Sequence, residues 1–210
     1  MTATAPSDVQ PTERAANASN RVPVRTASAV WILIAGVVGL AAALTLTVEK
    51  IEILINPAYV PSCSINPVLS CGSVMITDQA SAFGFPNSLI GIVAFTVVLV
   101  TGVLALAKVD LPRWYWAGLA TGTALGVVFI HWLIFQSLYR IGALCPYCMA
   151  VWAVTIPLFV VVASIALQPL RSNVVARVLY TWRWSLVALW FTALILMILA
   201  RFWNYWSTLL

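Results

Sequence analysis

The chain has 210 residues, 62% of them hydrophobic and only 8% charged, with a mean hydropathy of +1.00. A soluble domain is excluded, because too few polar side chains exist to cover a water-facing surface. The net charge of +5 does not mark a nucleic-acid binder either, since the basic residues stand singly between apolar runs and form no patch.

Residues 1–28 are polar and interrupted by Pro6, Pro11 and Pro23, the pattern of a disordered cytosolic tail. The run that follows is too long for the apolar core of a secretory signal and reads as an uncleaved anchor. Five apolar runs have the roughly 20 residues needed to cross a hydrocarbon core of about 30 Å as helix. They are Ala29 to Val48, Ser88 to Ala107, Trp114 to Leu138, Pro146 to Leu167 and Trp184 to Phe202. The expected fold is therefore all-α and membrane-embedded, one helical bundle in a lipid bilayer. Placing the N-terminus in the cytoplasm puts eight of the eleven Lys and Arg residues on the inner side and leaves Lys50, Arg140 and Arg201 outside. Positive charge favours the inner face, so the C-terminus is expected outside. All four cysteines, Cys63, Cys71, Cys145 and Cys148, then share the outer, extracytoplasmic side, where disulfides persist.

The longest polar connection is the outer loop 49–87, broken by Pro57, Pro61, Pro67, Gly72, Gly84 and Pro86. A loop of this length is usually functional. It carries Cys63 and Cys71; if Pro67 starts a short helix, Cys71 lies on it and Val68, Leu69, Val74 and Met75 reach the bilayer surface. Glu49, Lys50 and Glu52 read as markers of the water boundary and Asp78 as solvated. Asn87 precedes an apolar run and is a candidate N-cap.

The third span carries Gly118, Gly122 and Gly126 at four-residue spacing, a small-residue stripe that favours close helix packing within the bundle, with dimerisation as the alternative. His131, the single histidine, lies within this span and is either an interhelical hydrogen-bonding residue or a proton donor. Gln136 and Thr121 take the same structural reading. Trp114, Tyr115, Trp116, Trp182, Trp184, Trp203, Tyr205 and Trp206 bracket the spans as interfacial anchors.

The fourth span opens Leu144-Cys145-Pro146-Tyr147-Cys148. Pro146 suits the first helical turn, and a helix N-terminus favours the anionic form of nearby cysteines. The thiolate is the reactive form of cysteine, so a C-x-x-C pair at a helix start reads as a redox centre. Structural disulfides and a four-cysteine zinc site are the competing readings; a bridge across so short a loop stabilises little, and zinc ribbons pair two short-spaced knuckles. No metal is therefore expected. Arg140 either lowers the cysteine pKa values or extends along the membrane surface.

The order of these features resembles the vitamin K epoxide reductase family, in its bacterial, actinobacterial-type members. The frame is Cys63-x7-Cys71 in the loop, then Asn87-Ser88-x-x-Gly91, then Trp132-Leu133-Ile134-Phe135 with Leu138-Tyr139, then Cys145-Pro146-Tyr147-Cys148. The resemblance spans roughly Trp31 to Leu167. It implies a four-helix catalytic bundle over 29–168, a cytosolic linker over 169–183, and a fifth transmembrane helix with a short tail over 184–210. It also implies a quinone-coupled thiol oxidoreductase of the cell membrane. Cys63 would meet a thioredoxin-fold (DsbA-like) protein, Cys71 would attack Cys145, and Cys148 would face a menaquinone or ubiquinone. Asn87 would bond a quinone carbonyl. Trp152 stands where vertebrate members carry a quinone-binding tyrosine; an indole N–H still donates a hydrogen bond but is no acid. Some bacterial members carry a fused thioredoxin-like domain, and here the partner is expected to act in trans. Epoxide reduction proper is the nearest alternative activity. A transport or structural protein with fixed disulfides is the alternative from another class, although the spans hold no intramembrane carboxylate or broken helix of the kind that marks a substrate path.

Overall fold

The computed structural model describes residues 21–168 and 173–208. Helix α1 (Thr26–Ile55) leads into a long loop that holds a short helix α2 (Cys71–Met75) and a 3-10 turn (Asp78–Ser81). Helix α3 (Asn87–Leu106) and helix α4 (Arg113–Phe135) follow, α4 continuing as a π-helical segment over Gln136–Ile141. Helix α5 (Pro146–Ala166), helix α6 (Val174–Arg201) and a short helix α7 (Trp203–Trp206) complete the chain. Five of these helices are long and apolar enough to cross a membrane. The protein is an all-α, multi-pass membrane protein, as its composition requires. Within lipid every backbone and hydroxyl donor needs an internal partner. Thr101, Thr123 and Thr155 accordingly return their hydroxyls to carbonyls one turn back, on Val97, Leu119 and Val151.

The bundle is not evenly packed, and its asymmetry creates the site. Helices α1 and α3 are pressed together through glycine: a Cβ on Gly36 would stand 2.6 Å from the Leu99 backbone, and one on Gly102 2.7 Å from the Leu33 backbone. Helix α5 packs against both α1 and α4. Helices α3 and α4, although consecutive, barely touch. The space between them is a cavity of about 480 Å³.

Several expectations change here. Residues 1–20 of the expected tail lie outside the described residues, but from Arg21 the chain has regular placement. Arg21–Val22 (β1) pairs antiparallel with Leu111–Pro112 (β2), and α1 begins at Thr26. Val22 is buried in the bundle core, which gives that short ladder an apolar reason to form. The expected linker 169–183 is also shortened. Residues 169–172 lie outside the described residues, and from Val174 the chain is helical, capped by the Asn173 side chain accepting from the Val175 N–H. Arg177 and Arg183 therefore ride on α6. Trp116 is fully buried in the core and anchors no interface.

Candidate active site

The four cysteines gather at one end of the bundle, and local hydrogen bonding explains how. Pro67 does not start a helix: the Asn66 side-chain oxygen accepts from the Val68 and Leu69 N–H groups, holding the segment in a tight bend. That segment is sewn to the chain entering α5, with Leu144 N–H donating to Val68 O (2.7 Å) and Ser70 N–H to Leu144 O (2.9 Å). Ser70 then caps α2, its hydroxyl accepting from the Ser73 N–H. The first residue of α2, Cys71, is thereby set directly against the residue after Leu144, which is Cys145. Val68 and Met75 are buried in this arrangement and do not lie on the bilayer surface.

Cys63 and Cys71 form a disulfide, while Cys145 and Cys148 are free thiols. The Cys71 and Cys145 sulfurs are 2.9 Å apart, and both residues are fully buried. Cys145 is the N-cap of α5 and Pro146 its first helical residue. The Cys148 S–H donates to the Cys145 sulfur and holds the Cys145 thiol below its ordinary pKa. The backbone N–H groups of Cys148 and Tyr147 add to this, whereas burial and the charge of Glu49 act against it. The sulfurs of Cys63, Cys71 and Cys145 lie within 4.8 Å of one another. Two of them are joined to each other as a disulfide.

Cys148 opens onto the gap between α3 and α4. A small pocket of about 80 Å³ beneath the loop and the 480 Å³ cavity share Leu46, Asn87, Ser88, Leu133, Cys148 and Trp152 as wall. From Leu133 the cavity runs along α4 to Trp114, a distance of about 28 Å at 1.5 Å per residue. The glycine stripe lines it. A Cβ on Gly118 or Gly122 would meet nothing within 4 Å, and one on Gly126 only Thr155 at 3.9 Å. The stripe therefore does not pack against another helix of this chain; it lines an open cavity. Trp152, 1% exposed, forms a rigid wall beside Cys148.

Asn87 is the first residue of α3, not its N-cap. Its side-chain amide donates to Gln79 O (2.7 Å), and its oxygen accepts from the Ala82 N–H (3.1 Å). It clamps the 3-10 turn over the pocket while lining that pocket. His131 is not brought to the cysteines. Its Nε2 accepts from the Trp190 indole on α6 at 2.8 Å, and its Nδ1 faces Val127 O at 2.7 Å. Arg140 is exposed. Two residues read as structural or boundary features emerge at the site instead. Gln136 lines the small pocket, its side-chain amide oxygen Oε1 buried and without a hydrogen-bond partner. Glu49 is 6% exposed, with one oxygen on Ser62 and the Tyr59 hydroxyl also bonded to its side chain. Gln136 stands one turn beyond Leu133, still in α-helical register with its N–H on the Trp132 and Leu133 carbonyls, so both residues border the pocket, and the π segment begins there. The segment is steadied by Arg201 of α6, whose Nε donates to Leu138 O at 2.8 Å.

Fold and site together define a multi-pass membrane protein whose reactive groups are a loop disulfide and a C-x-x-C thiol pair in contact. Residues 30–163 match the vitamin K epoxide reductase family, which places the match over α1 to α5 and all four cysteines. The chain belongs to this family of membrane redox enzymes. No curated protein matches it.

Proposed function

We propose that this enzyme reoxidises a separate extracytoplasmic thioredoxin-fold (DsbA-like) protein and passes the electrons to a quinone. The observation that carries this reading is the 2.9 Å approach of the Cys71 and Cys145 sulfurs, with Cys148 facing an apolar cavity on the other side. In this cycle the partner's thiolate attacks Cys63 and opens the Cys63–Cys71 bond; the partner leaves as its own disulfide. The Cys71 thiolate attacks Cys145 of a Cys145–Cys148 disulfide, and Cys148 departs as thiolate. Cys63 then attacks Cys71, which closes the loop disulfide and frees Cys145. The arrangement described above, loop pair closed and C-x-x-C pair reduced, is the point in the cycle that precedes quinone reduction.

A bound quinone would accept two electrons and two protons and leave as quinol. Cys148 is the electron donor nearest the cavity, and reclosure of Cys145–Cys148 returns the pair to its oxidised state. The chemistry of the wall fits such a ligand: an aromatic face from Trp152, the polar edge of Asn87, and a buried Gln136 oxygen able to accept a quinol O–H. The open glycine face of α4 suits an isoprenoid tail, which needs length and apolar surface and no hydrogen bonds. Menaquinone and ubiquinone both satisfy this. Residues 29–168 are the catalytic unit in this reading. Lys50, Arg140 and Arg201 at the cysteine end against eight basic residues elsewhere support a cell-membrane orientation with the cysteines extracytoplasmic and the N-terminus inside.

The test is turnover of purified protein in detergent with a reduced thioredoxin-fold protein and a soluble ubiquinone analogue. One quinol should appear per partner disulfide formed, and Cys145→Ala or Cys148→Ala should abolish it. Normal turnover in either variant rejects the reading.

A further inference from the structure

The disulfide relay gives no role to the two adjacent charged residues at the cysteine end of α1, yet both are committed to the loop. Glu49 is almost completely buried, and its Oε1 accepts from both the N–H (3.3 Å) and the hydroxyl (2.5 Å) of Ser62, the neighbour of Cys63. Lys50 donates from Nζ to the Met75 carbonyl at 2.6 Å, at the far end of the α2 helix that begins with Cys71. One turn edge of a rigid helix thus grips the loop on both sides of its disulfide. The Tyr59 hydroxyl, also on the loop, bonds to the same Glu49 side chain, which pushes the phenol pKa up, so the partners named for this buried carboxylate are all loop groups on the Cys63 side of the disulfide. The two arms also meet beyond the disulfide, through the Gly72 N–H donating to the Ser64 hydroxyl at 3.2 Å and the Ile65 N–H donating to Leu69 O at 2.8 Å. Both contacts lie on the chain between the two cysteines or directly beside it, whereas Glu49 and Lys50 hold the arms from outside it.

We propose that Glu49 and Lys50 are positioning residues of the relay, a clasp in which Glu49 is the releasable half and Lys50 the fixed half. The proposal rests on the reading of Cys71 as the shuttle between Cys63 and Cys145. The asymmetry follows from where each arm must go. Cys71 already touches Cys145, so the arm held by Lys50 through Met75 has no need to move. Cys63 must separate from Cys71 whenever Cys71 is bonded to Cys145, and must then meet a partner in water. The bond between Glu49 and Ser62 favours the closed Cys63–Cys71 pair and is the contact that loosens when Cys63 swings out. Neither residue takes or gives electrons: in the exchange the Cys63–Cys71 bond breaks, the Cys71–Cys145 bond forms, and a proton passes from the Cys145 thiol to the released Cys63.

The experiment needs neither partner nor quinone. In a Cys148→Ala background three cysteines share one disulfide, and mass spectrometry of the acid-quenched, alkylated protein measures the ratio of Cys63–Cys71 to Cys71–Cys145. That ratio is a difference in potential between two pairs, which a change in overall stability does not shift. Glu49→Gln should move the ratio toward Cys71–Cys145 by roughly tenfold, the weight of a charge-assisted hydrogen bond relative to a neutral one. Ser62→Ala, which removes a hydroxyl and leaves the carboxylate in place, should move it the same way by less, and serves if the charge change compromises folding. Lys50→Met should not enrich Cys71–Cys145, since it frees the arm that stays. A ratio unchanged in both Glu49→Gln and Ser62→Ala, or enriched equally by Lys50→Met, overturns the clasp. Complete absence of a Cys71–Cys145 bond in the Cys148→Ala protein would instead overturn the relay on which the clasp rests.

Discussion

The two sets of glycines in this bundle give opposite expectations for the same substitution. Gly102→Ala places a methyl group 2.7 Å from the backbone of Leu33, about 1 Å inside an ordinary carbon contact. Backbone cannot rotate aside, so α1 and α3 must separate, and overpacking of this kind costs about 1–3 kcal/mol. The gain of about 1 kcal/mol from replacing Gly by Ala within a helix offsets part of it, leaving a net loss of up to about 2 kcal/mol. Gly118→Ala meets no atom within 4 Å and keeps the whole helix gain of about 1 kcal/mol. The two variants should therefore differ by up to about 3 kcal/mol, several degrees in melting temperature for a chain of this size. Thermal unfolding in one detergent, followed by dye binding to exposed thiols or by circular dichroism, resolves that gap. A Gly118→Ala protein destabilised as much as Gly102→Ala would show that α4 packs closely through its glycine face, and the proposed quinone channel would not exist.

Gly122→Leu should fill the middle of the same cavity. The KM for quinones with several isoprenoid units should rise roughly tenfold, the scale on which apolar pockets penalise misfit, while a tail-less analogue is used normally; steady-state kinetics with both decide it. Cys145 should ionise at a lower pH than an ordinary thiol, so its thiolate persists as pH falls through the usual thiol range. Cys148→Ala removes the leading cause and should move the midpoint upward, read from thiolate absorbance in a Cys63→Ala/Cys71→Ala background; a midpoint that stays or falls would refute the cause assigned. His131→Leu should leave quinone reduction within about twofold of normal and lower the melting temperature instead, since the lost bond of roughly 0.5–1.5 kcal/mol is one between helices. A collapse in turnover at unchanged stability would return His131 to the chemistry.

Much of the architecture is legible in the sequence, and the reasons are physical. Membrane spans announce themselves because lipid demands about 20 apolar residues and leaves no choice of backbone structure. The C-x-x-C turn is equally plain, since Pro146 at a first helical position fixes both the helix start and the place of Cys145 at its cap. What escapes is whatever depends on the opposite wall. Gly118 and Gly122 satisfy a packing stripe and a cavity lining equally well, and only the distance to α3 separates the two. Glu49 and Lys50 look like a water boundary because their partners, Ser62 and Met75, are distant along the chain. Asn87 has the composition of a cap, yet its bonds run backward to Gln79 and Ala82. Gln136 shares a helix face with Leu133 by ordinary helical spacing, but that this face borders a pocket depends on the loop folded over it. Trp116 shows the same limit, since an aromatic at a span end is indistinguishable by position from one buried in the core.

The most direct test of the account is a single turnover with quinone. Protein prepared with Cys63–Cys71 closed and Cys145 and Cys148 reduced is mixed anaerobically with one equivalent of ubiquinone analogue, then acid-quenched for disulfide mapping. The account predicts a Cys145–Cys148 disulfide and one quinol formed at the same rate, with the loop disulfide intact. Quinol appearing with Cys145 and Cys148 still reduced, or a Cys145–Cys148 pair that remains reduced in the presence of excess quinone, would contradict it.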